Sequence, residues 1–302
     1  MDFRISCGRY TVSWKLGRER VMIRSRNNFF RTSDDAVIYY EEYGQGRPIV
    51  LLHGYLCSSK FFYRNIEGLS RNNRLILVDF RGHGSSSKIL SGHSIRRYAM
   101  DIKELLDVLE VQDALLAGWS LGASVVLQYH LLYGDTHIRG LGLIDPTLTP
   151  CDDGPWNMHI LNGYNMDKAN DVMTGAYCDY VKYCREFAGR MLFFDKHSEE
   201  LEWMMCEHMK TPPWIAFSIW TEFAHTDGRE MLRQIYLPVV LFGADSMVNT
   251  KGRECASVHY ASDIPKGVYR EIYLHDIGGH LLFLKDSELF NERVLVFEGH
   301  LQ

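Results

Sequence analysis

Short apolar runs alternate with amphipathic stretches from residue 28 to the end of the chain. Continuous apolar runs of about 4–8 residues are typical of strands buried on both faces of a parallel sheet. The pattern predicts strands at 36–44 (AVIYYEEYG), 48–54 (PIVLLHG), 75–80 (LILVDF), 113–119 (DALLAGW), 138–145 (IRGLGLID), 237–245 (LPVVLFGAD) and 267–276 (GVYREIYLHD).

Between these runs, apolar residues recur at helical spacing. The spacing predicts a helix over 94–111 with Ser94 as its N-cap, a second over 120–133 ended by Gly134, and a last one over 282–297. Strands that alternate with helices predict an α/β protein with a doubly wound, mostly parallel sheet and right-handed crossovers. Ligands of such sheets bind at the carboxyl ends of the strands.

The stretch 147–234 breaks this alternation because it lacks long apolar strand runs. It holds four of the six tryptophans and eight of the twelve methionines, in segments with helical spacing. We predict a helical cap inserted between two strands, so that 28–146 and 235–302 form one α/β core. Met and aromatic side chains at this spacing either fill the core of the cap or line an adaptable apolar pocket.

Composition excludes several classes of protein. The chain has 302 residues, 46% of them hydrophobic, and a net charge of −5, which gives no reason to expect a nucleic-acid partner. No apolar run approaches the roughly 20 residues that span a bilayer, so no membrane partner is expected. The seven cysteines are odd in number and irregularly spaced, which favours free thiols and a cytoplasmic location. Neither a CxxC pair nor an HExxH stretch indicates a metal site.

Residues 1–27 form an N-terminal extension that is rich in arginine and poor in acidic residues. It lacks the apolar segment of a secretory signal. We expect an extra strand region that the core does not need, with Met22 as an alternative start. An organelle-targeting segment is the other interpretation.

The stretch LLAGWSLGAS (115–124) places a serine between two glycines where a predicted strand meets a predicted helix. A nucleophile at such a corner needs a tight turn, and large side chains two residues before or after it would collide. Gly118 and Gly122 occupy those positions around Ser120, which is the G-x-S-x-G pattern of a nucleophile elbow. The helix that follows directs its free N–H groups and positive dipole end toward the site. The alternative is that Ser120 only caps its helix.

A serine nucleophile needs a histidine base and a carboxylate that orients the base. The usual order in this motif is serine, acid, histidine. Asp245 follows a buried strand and His280 lies in a Gly-Gly loop after the last strand, so these two are the predicted acid and base. Asp145, at the end of an earlier strand, is the alternative acid, and His275 is the alternative base.

An oxyanion hole completes the predicted site. The backbone N–H of Leu121, directly after the serine, is one expected donor. The other is the N–H of Tyr55, in the loop LLHGYLC that follows an earlier strand, with Leu56 as a weaker candidate. We interpret His53 as a hydrogen-bonded support of that loop and Cys57 as a packed thiol.

Together these residues resemble the α/β-hydrolase superfamily. The matching stretches are HGY at 53–55, DFRGHGSS at 79–86, GWSLG at 118–122, GADSMV at 243–248 and GGH at 278–280. The resemblance is greatest to serine carboxylesterases and cofactor-free haloperoxidase-like esterases. In those a methionine often follows the nucleophile, whereas Leu121 stands here. Related epoxide hydrolases and haloalkane dehalogenases use an aspartate nucleophile, which Ser120 argues against.

The resemblance implies the α/β-hydrolase fold and a cofactor-free hydrolase that acts on a small-molecule ester and water. The aromatic and Met-rich cap favours a small to medium, mainly apolar ester. A lactonase, a thioesterase or a C–C bond hydrolase with the same triad is the main alternative. A non-catalytic protein that binds a small ligand, or a structural protein, is less consistent with an intact set of triad residues.

Overall fold

The fold was taken from a computed structural model, which describes residues 2–7, 10–15, 26–151, 165–192, 200–244, 256–275 and 279–301, with side chains from residue 28 onward. The strands are β1 (Asp2–Cys7), β2 (Tyr10–Lys15), β3 (Arg26–Arg31), β4 (Val37–Tyr43), β5 (Arg47–Leu52), β6 (Asn73–Val78), β7 (Ala114–Trp119), β8 (Ile138–Ile144), β9 (Val239–Ala244) and β10 (Arg270–His275). The helices are α1 (Ile66–Ser70), α2 (Ile95–Val108), α3 (Leu121–Tyr133), α4 (Met166–Cys178), α5 (Tyr180–Met191), α6 (Glu200–His208), α7 (Pro213–Ala224), α8 (Arg229–Leu232), α9 (Ala256–Asp263), α10 (Leu282–Lys285) and α11 (Ser287–His300).

Eight of these strands form one mostly parallel sheet in the order β10-β9-β8-β7-β5-β6-β4-β3. The β3–β4 and β4–β6 pairings are antiparallel, and the other pairings of this sheet are parallel. The central strands are buried almost throughout because helices cover the sheet, which explains their continuous apolar sequences. The predicted α/β class and parallel sheet are confirmed.

Helix α2 shows how the sequence pattern produces the packing. Its buried residues include Ile95, Tyr98, Ile102 and Leu105, which recur at helical spacing and form one apolar face. The Ser94 hydroxyl accepts a hydrogen bond from the backbone N–H three residues later, as expected of an N-cap.

The two ends of the chain differ from the prediction in detail. Strands β1 and β2 pair as a separate antiparallel hairpin, and β3 joins the main sheet from Arg26 onward. The predicted last helix is two helices, because Asp286 between α10 and α11 has a non-helical backbone (φ −123°, ψ 51°).

Helices α4 to α8 lie between β8 and β9, in the stretch predicted to form a cap. Trp203, Met204 and Trp220 there are buried, whereas Trp214 is half-exposed. None of the helices in the described part of the chain combines the length and the apolar character that crossing a bilayer requires.

Candidate active site

Ser120 lies in the turn that joins β7 to α3. Its backbone is in the left-handed region (φ 56°, ψ −117°), which is strained for any residue with a Cβ. Its N–H donates a hydrogen bond to the carbonyl of Ile144 (3.0 Å), and its carbonyl accepts one from Ala123 N–H (2.9 Å). The sheet and the first turn of α3 therefore hold the serine in this conformation.

The glycines on either side of Ser120 are required by space. A Cβ on Gly118 would lie 2.1 Å from the carbonyl oxygen of Gly122. A Cβ on Gly122 would lie 2.5 Å from the carbonyl oxygen of Leu52. Both contacts are with backbone atoms that cannot rotate away, so the tight corner expected of the G-x-S-x-G pattern is present.

The loop that follows β5 passes directly beside the serine. A Cβ on Gly54 would lie 3.3 Å from the Cβ of Ser120, so only a residue without a side chain lets the loop approach this closely without adjustment. Tyr55 and Leu121, whose backbone N–H groups are the predicted oxyanion donors, are both buried.

His53 supports this loop, as interpreted from the sequence. Its Nε2 accepts a hydrogen bond from Phe80 N–H (3.0 Å), which leaves Nδ1–H to donate to the carbonyl of Gly54 (2.7 Å). Burial lowers the pKa of His53 to about 3, so the ring is neutral at pH 7. The Cys57 thiol is also buried and donates to the carbonyl of Tyr55 (3.2 Å), in agreement with a packed thiol.

His280 lies in a short 3₁₀ helix (Gly279–Leu281) after β10 and is buried. Its ring packs on Trp119, the residue before the serine, with centroids 5.2 Å apart. Its Nδ1 is hydrogen-bonded to a carboxylate oxygen, Oδ2 of Asp145, at 2.6 Å. The rival histidine, His275, is instead hydrogen-bonded to Asp286 (3.0 Å).

Among the two candidate acids, the described residues contain only Asp145. The predicted acid, Asp245, lies outside them and stays a prediction. Asp145 directly follows β8 and is buried, with a backbone in the left-handed region (φ 38°). Sequence reasoning ranked it second because a proline follows it, and the only signal in its favour was its place at a strand end.

Two further groups near the serine were not found from the sequence. The Thr147 hydroxyl is buried and lies 3.4 Å from the Ser120 hydroxyl. The Tyr55 hydroxyl donates to the carbonyl of Ala216 in α7 (3.3 Å). The Tyr55 ring packs on Phe187 of α5 and Trp220 of α7, with centroids 5.7 and 5.3 Å apart. Helices α5 and α7 thus supply aromatic rings next to the loop beside Ser120.

The described residues contain no cluster of three or more His, Cys, Asp or Glu side chains that could hold a metal ion. The site combines a hydroxyl at a strained turn, a buried imidazole bonded to a carboxylate, and backbone N–H groups at the start of α3.

Comparisons with known proteins agree with this geometry. A family model described as alpha/beta hydrolase fold matches residues 47–171. A non-heme chloroperoxidase from Streptomyces lividans is 35% identical over 248 residues, which cover 78% of this chain and 84% of the relative. The AB hydrolase superfamily protein YisY from Bacillus subtilis is 24% identical over 90% of this chain and 99% of its own length.

An esterase from Exiguobacterium antarcticum has the same fold, with a TM-score of 0.77 and 22% sequence identity over 90% of this chain and 99% of the esterase. The order of strands, the strained serine and these relatives lead to one assignment. The chain belongs to the α/β-hydrolase superfamily, in its branch of esterases and haloperoxidase-like enzymes.

Proposed function

We propose that this protein is a serine hydrolase that cleaves a small to medium, mainly apolar carboxylic ester through an acyl-enzyme intermediate. The observation that carries the proposal is Ser120, held in the left-handed region between Gly118 and Gly122. It directly follows Trp119, whose ring packs on His280 of a buried histidine–carboxylate pair. A strained serine at a strand-to-helix turn is the position of the nucleophile in hydrolases of this fold.

In the first half of the reaction, Ser120 Oγ forms a bond to the ester carbonyl carbon while Nε2 of His280 takes the hydroxyl proton. The bond between that carbon and the alcohol oxygen then breaks, and His280 gives its proton to the departing alcohol. In the second half, His280 takes a proton from water, whose oxygen attacks the acyl group. The bond to Ser120 breaks, the proton returns to its oxygen, and the carboxylic acid leaves.

The negative charge that develops on the carbonyl oxygen is assigned to the N–H groups of Tyr55 and Leu121. One such donor is worth about 2.7–4 kcal/mol of transition-state stabilisation. Asp245 is the acid that the sequence predicts as the partner of His280. A cytoplasmic location stays a prediction from the cysteine pattern.

The preference for an apolar substrate is supported by the rings around Tyr55. Phe187 and Trp220 pack on it from helices between β8 and β9, and Tyr183 of α5 has its hydroxyl 3.5 Å from the Tyr55 hydroxyl. These side chains are buried and aromatic, and apolar linings with a few polar groups are typical of small-molecule sites.

A fluorophosphonate probe tests the proposal, because it labels only an activated serine. We expect the wild type to be labelled at Ser120 and to hydrolyse p-nitrophenyl esters, and we expect Ser120→Ala to do neither. A wild type that resists the probe would refute the proposal. Rates on a matched panel of p-nitrophenyl esters, lactones and thioesters then identify the bond cleaved, and a lactone or thioester that exceeds every ester would replace the ester assignment.

A further inference from the structure

Asp145 and Ser120 occupy equivalent places on neighbouring strands. Trp119 of β7 and Ile144 of β8 are partners in the register of the two strands. Ser120 directly follows Trp119, and Asp145 directly follows Ile144. Both have positive φ angles although neither is glycine. Strain of this kind persists only where the surrounding structure enforces it, and it concentrates at functional sites.

The Asp145 carboxylate is held in one place. Its backbone N–H donates to the carbonyl of Phe242 in β9 (2.7 Å), which extends the pairing of β8 beyond its last residue. Its side chain is 7% exposed, and no lysine or arginine of the described residues pairs with it. A buried carboxylate needs a compensating donor, and the imidazole of His280 at 2.6 Å is that donor.

We propose that Asp145 is the carboxylate that fixes the tautomer and orientation of His280, a positioning role that rests on the serine-hydrolase function proposed above. The carboxylate accepts the hydrogen bond from Nδ1–H, so the proton stays on Nδ1 and the Nε2 lone pair is left for the Ser120 hydroxyl. Asp145 does not take the proton itself. Among the described residues, the Tyr260 hydroxyl of α9 is a second titratable group near this carboxylate, and its pKa is raised to about 12, chiefly by burial.

This inference differs from the sequence prediction, which assigned the role to Asp245. Asp145 and Asp245 follow adjacent strands, β8 and β9. Asp145 comes directly after Ile144, whose partner in the strand register is Phe242, whereas Asp245 comes three residues after Phe242. The two assignments predict opposite results for Asp145→Asn and Asp245→Asn, so the pair of variants separates them.

Asp145→Asn is a conservative probe because asparagine has the same size and tolerates a positive φ. Its amide can donate to Nδ1, which favours the tautomer with the proton on Nε2. We expect kcat on a p-nitrophenyl ester to fall by roughly 10⁴-fold with little change in KM.

Asp286→Asn is the matched control. It removes the carboxylate that is hydrogen-bonded to the rival histidine, His275, which the proposed mechanism does not use. We expect kcat to stay that of the wild type. Asp145→Glu keeps the charge and should recover part of the kcat lost in Asp145→Asn.

Nitrogen NMR of the wild-type imidazoles gives a readout independent of turnover and of the folding of any Asp145 variant, with His280→Gln used to assign the signal. We expect neutral His280 to carry its proton on Nδ1. The inference is overturned if the proton of the neutral wild-type ring is on Nε2, or if Asp145→Asn keeps kcat within tenfold. A wild type that shows the Nδ1 proton but neither labelling nor hydrolysis overturns the proposed function and leaves the hydrogen bond established.

Discussion

Replacing Gly118 with alanine tests the corner that holds Ser120, the proposed nucleophile. The added Cβ would lie 2.1 Å from the carbonyl oxygen of Gly122 and 2.2 Å from its carbonyl carbon, whereas real Cβ contacts are essentially never under 3.0 Å. The turn must therefore open by about 0.9 Å to reach 3.0 Å. The contacting atoms belong to Gly122 in the first turn of α3. Because Ser120 lies between Gly118 and Gly122 in the chain, this movement displaces Ser120.

The size of the effect follows from that displacement. A misplacement of about 1 Å at a reacting group costs on the order of 10²-fold in rate, and overpacking costs about 1–3 kcal/mol of stability. We expect both losses in Gly118→Ala. Gly122→Ala needs about 0.5 Å of movement, from 2.5 Å to the carbonyl of Leu52, and should lose less activity.

Gly175→Ala is the control for the chemical change itself. Gly175 lies inside α4, and a Cβ there would meet nothing within 4 Å. Alanine in a helix interior is favoured over glycine by roughly 0.5–1 kcal/mol, so this variant should gain stability and keep its activity.

The assay pairs kcat/KM on a p-nitrophenyl ester with urea unfolding for the three variants and the wild type. The expected order of activity is wild type equal to Gly175→Ala, then Gly122→Ala, then Gly118→Ala. If Gly118→Ala keeps kcat/KM within threefold of the wild type, the serine does not depend on the tight turn and the reasoning is wrong.

Three other outcomes follow from buried groups. Arg81→Met should lower the free energy of unfolding in urea by about 3 kcal/mol, because it breaks the buried ion pair with Asp101. This is the low end for such a pair because a second arginine still contacts Asp101, and a loss under 1 kcal/mol would contradict the reasoning. His208 has its pKa lowered to about 4 by burial, so between pH 6.5 and 4 the unfolded chain binds the extra proton and wild-type stability falls on acidification. In His208→Phe the slope of the unfolding free energy against pH should be smaller by up to about 1.4 kcal/mol per pH unit, and equal slopes in the variant and the wild type would refute this role of His208. Iodoacetamide should modify the exposed Cys178 in the native protein but the buried Cys57 only after unfolding, as read by peptide mass mapping, and equal native rates would count against the packing.

The sheet could be predicted because burial on both faces leaves few polar positions in its central strands. LLAGW before Ser120 and PIVLL before His53 are continuous apolar runs, and each is a strand in the structure. The tight turn at Ser120, the proposed nucleophile, could be predicted for a related reason, since the two glycines around it leave the space that this corner requires.

The carboxylate partner of His280 could not be decided from sequence alone. Asp145 and Asp245 both end buried strands, and only the register of the strands and the path of the His280 loop decide which carboxylate meets the ring. The helices between β8 and β9 pose a similar problem. Trp203 and Trp214 both lie in helical segments there, yet packing between helices buries the first and exposes the second.

Strand β10 carries the histidine loop at the edge of the sheet, where it pairs with β9 alone and has alternate residues exposed. Edge segments with exposed backbone hydrogen bonds open at lower free energies than a sheet's centre. We therefore expect warming to release His280, the proposed base, before the central strands separate. A sample should then lose activity while it keeps its helical circular dichroism signal, and cooling should restore turnover as long as the centre has stayed intact.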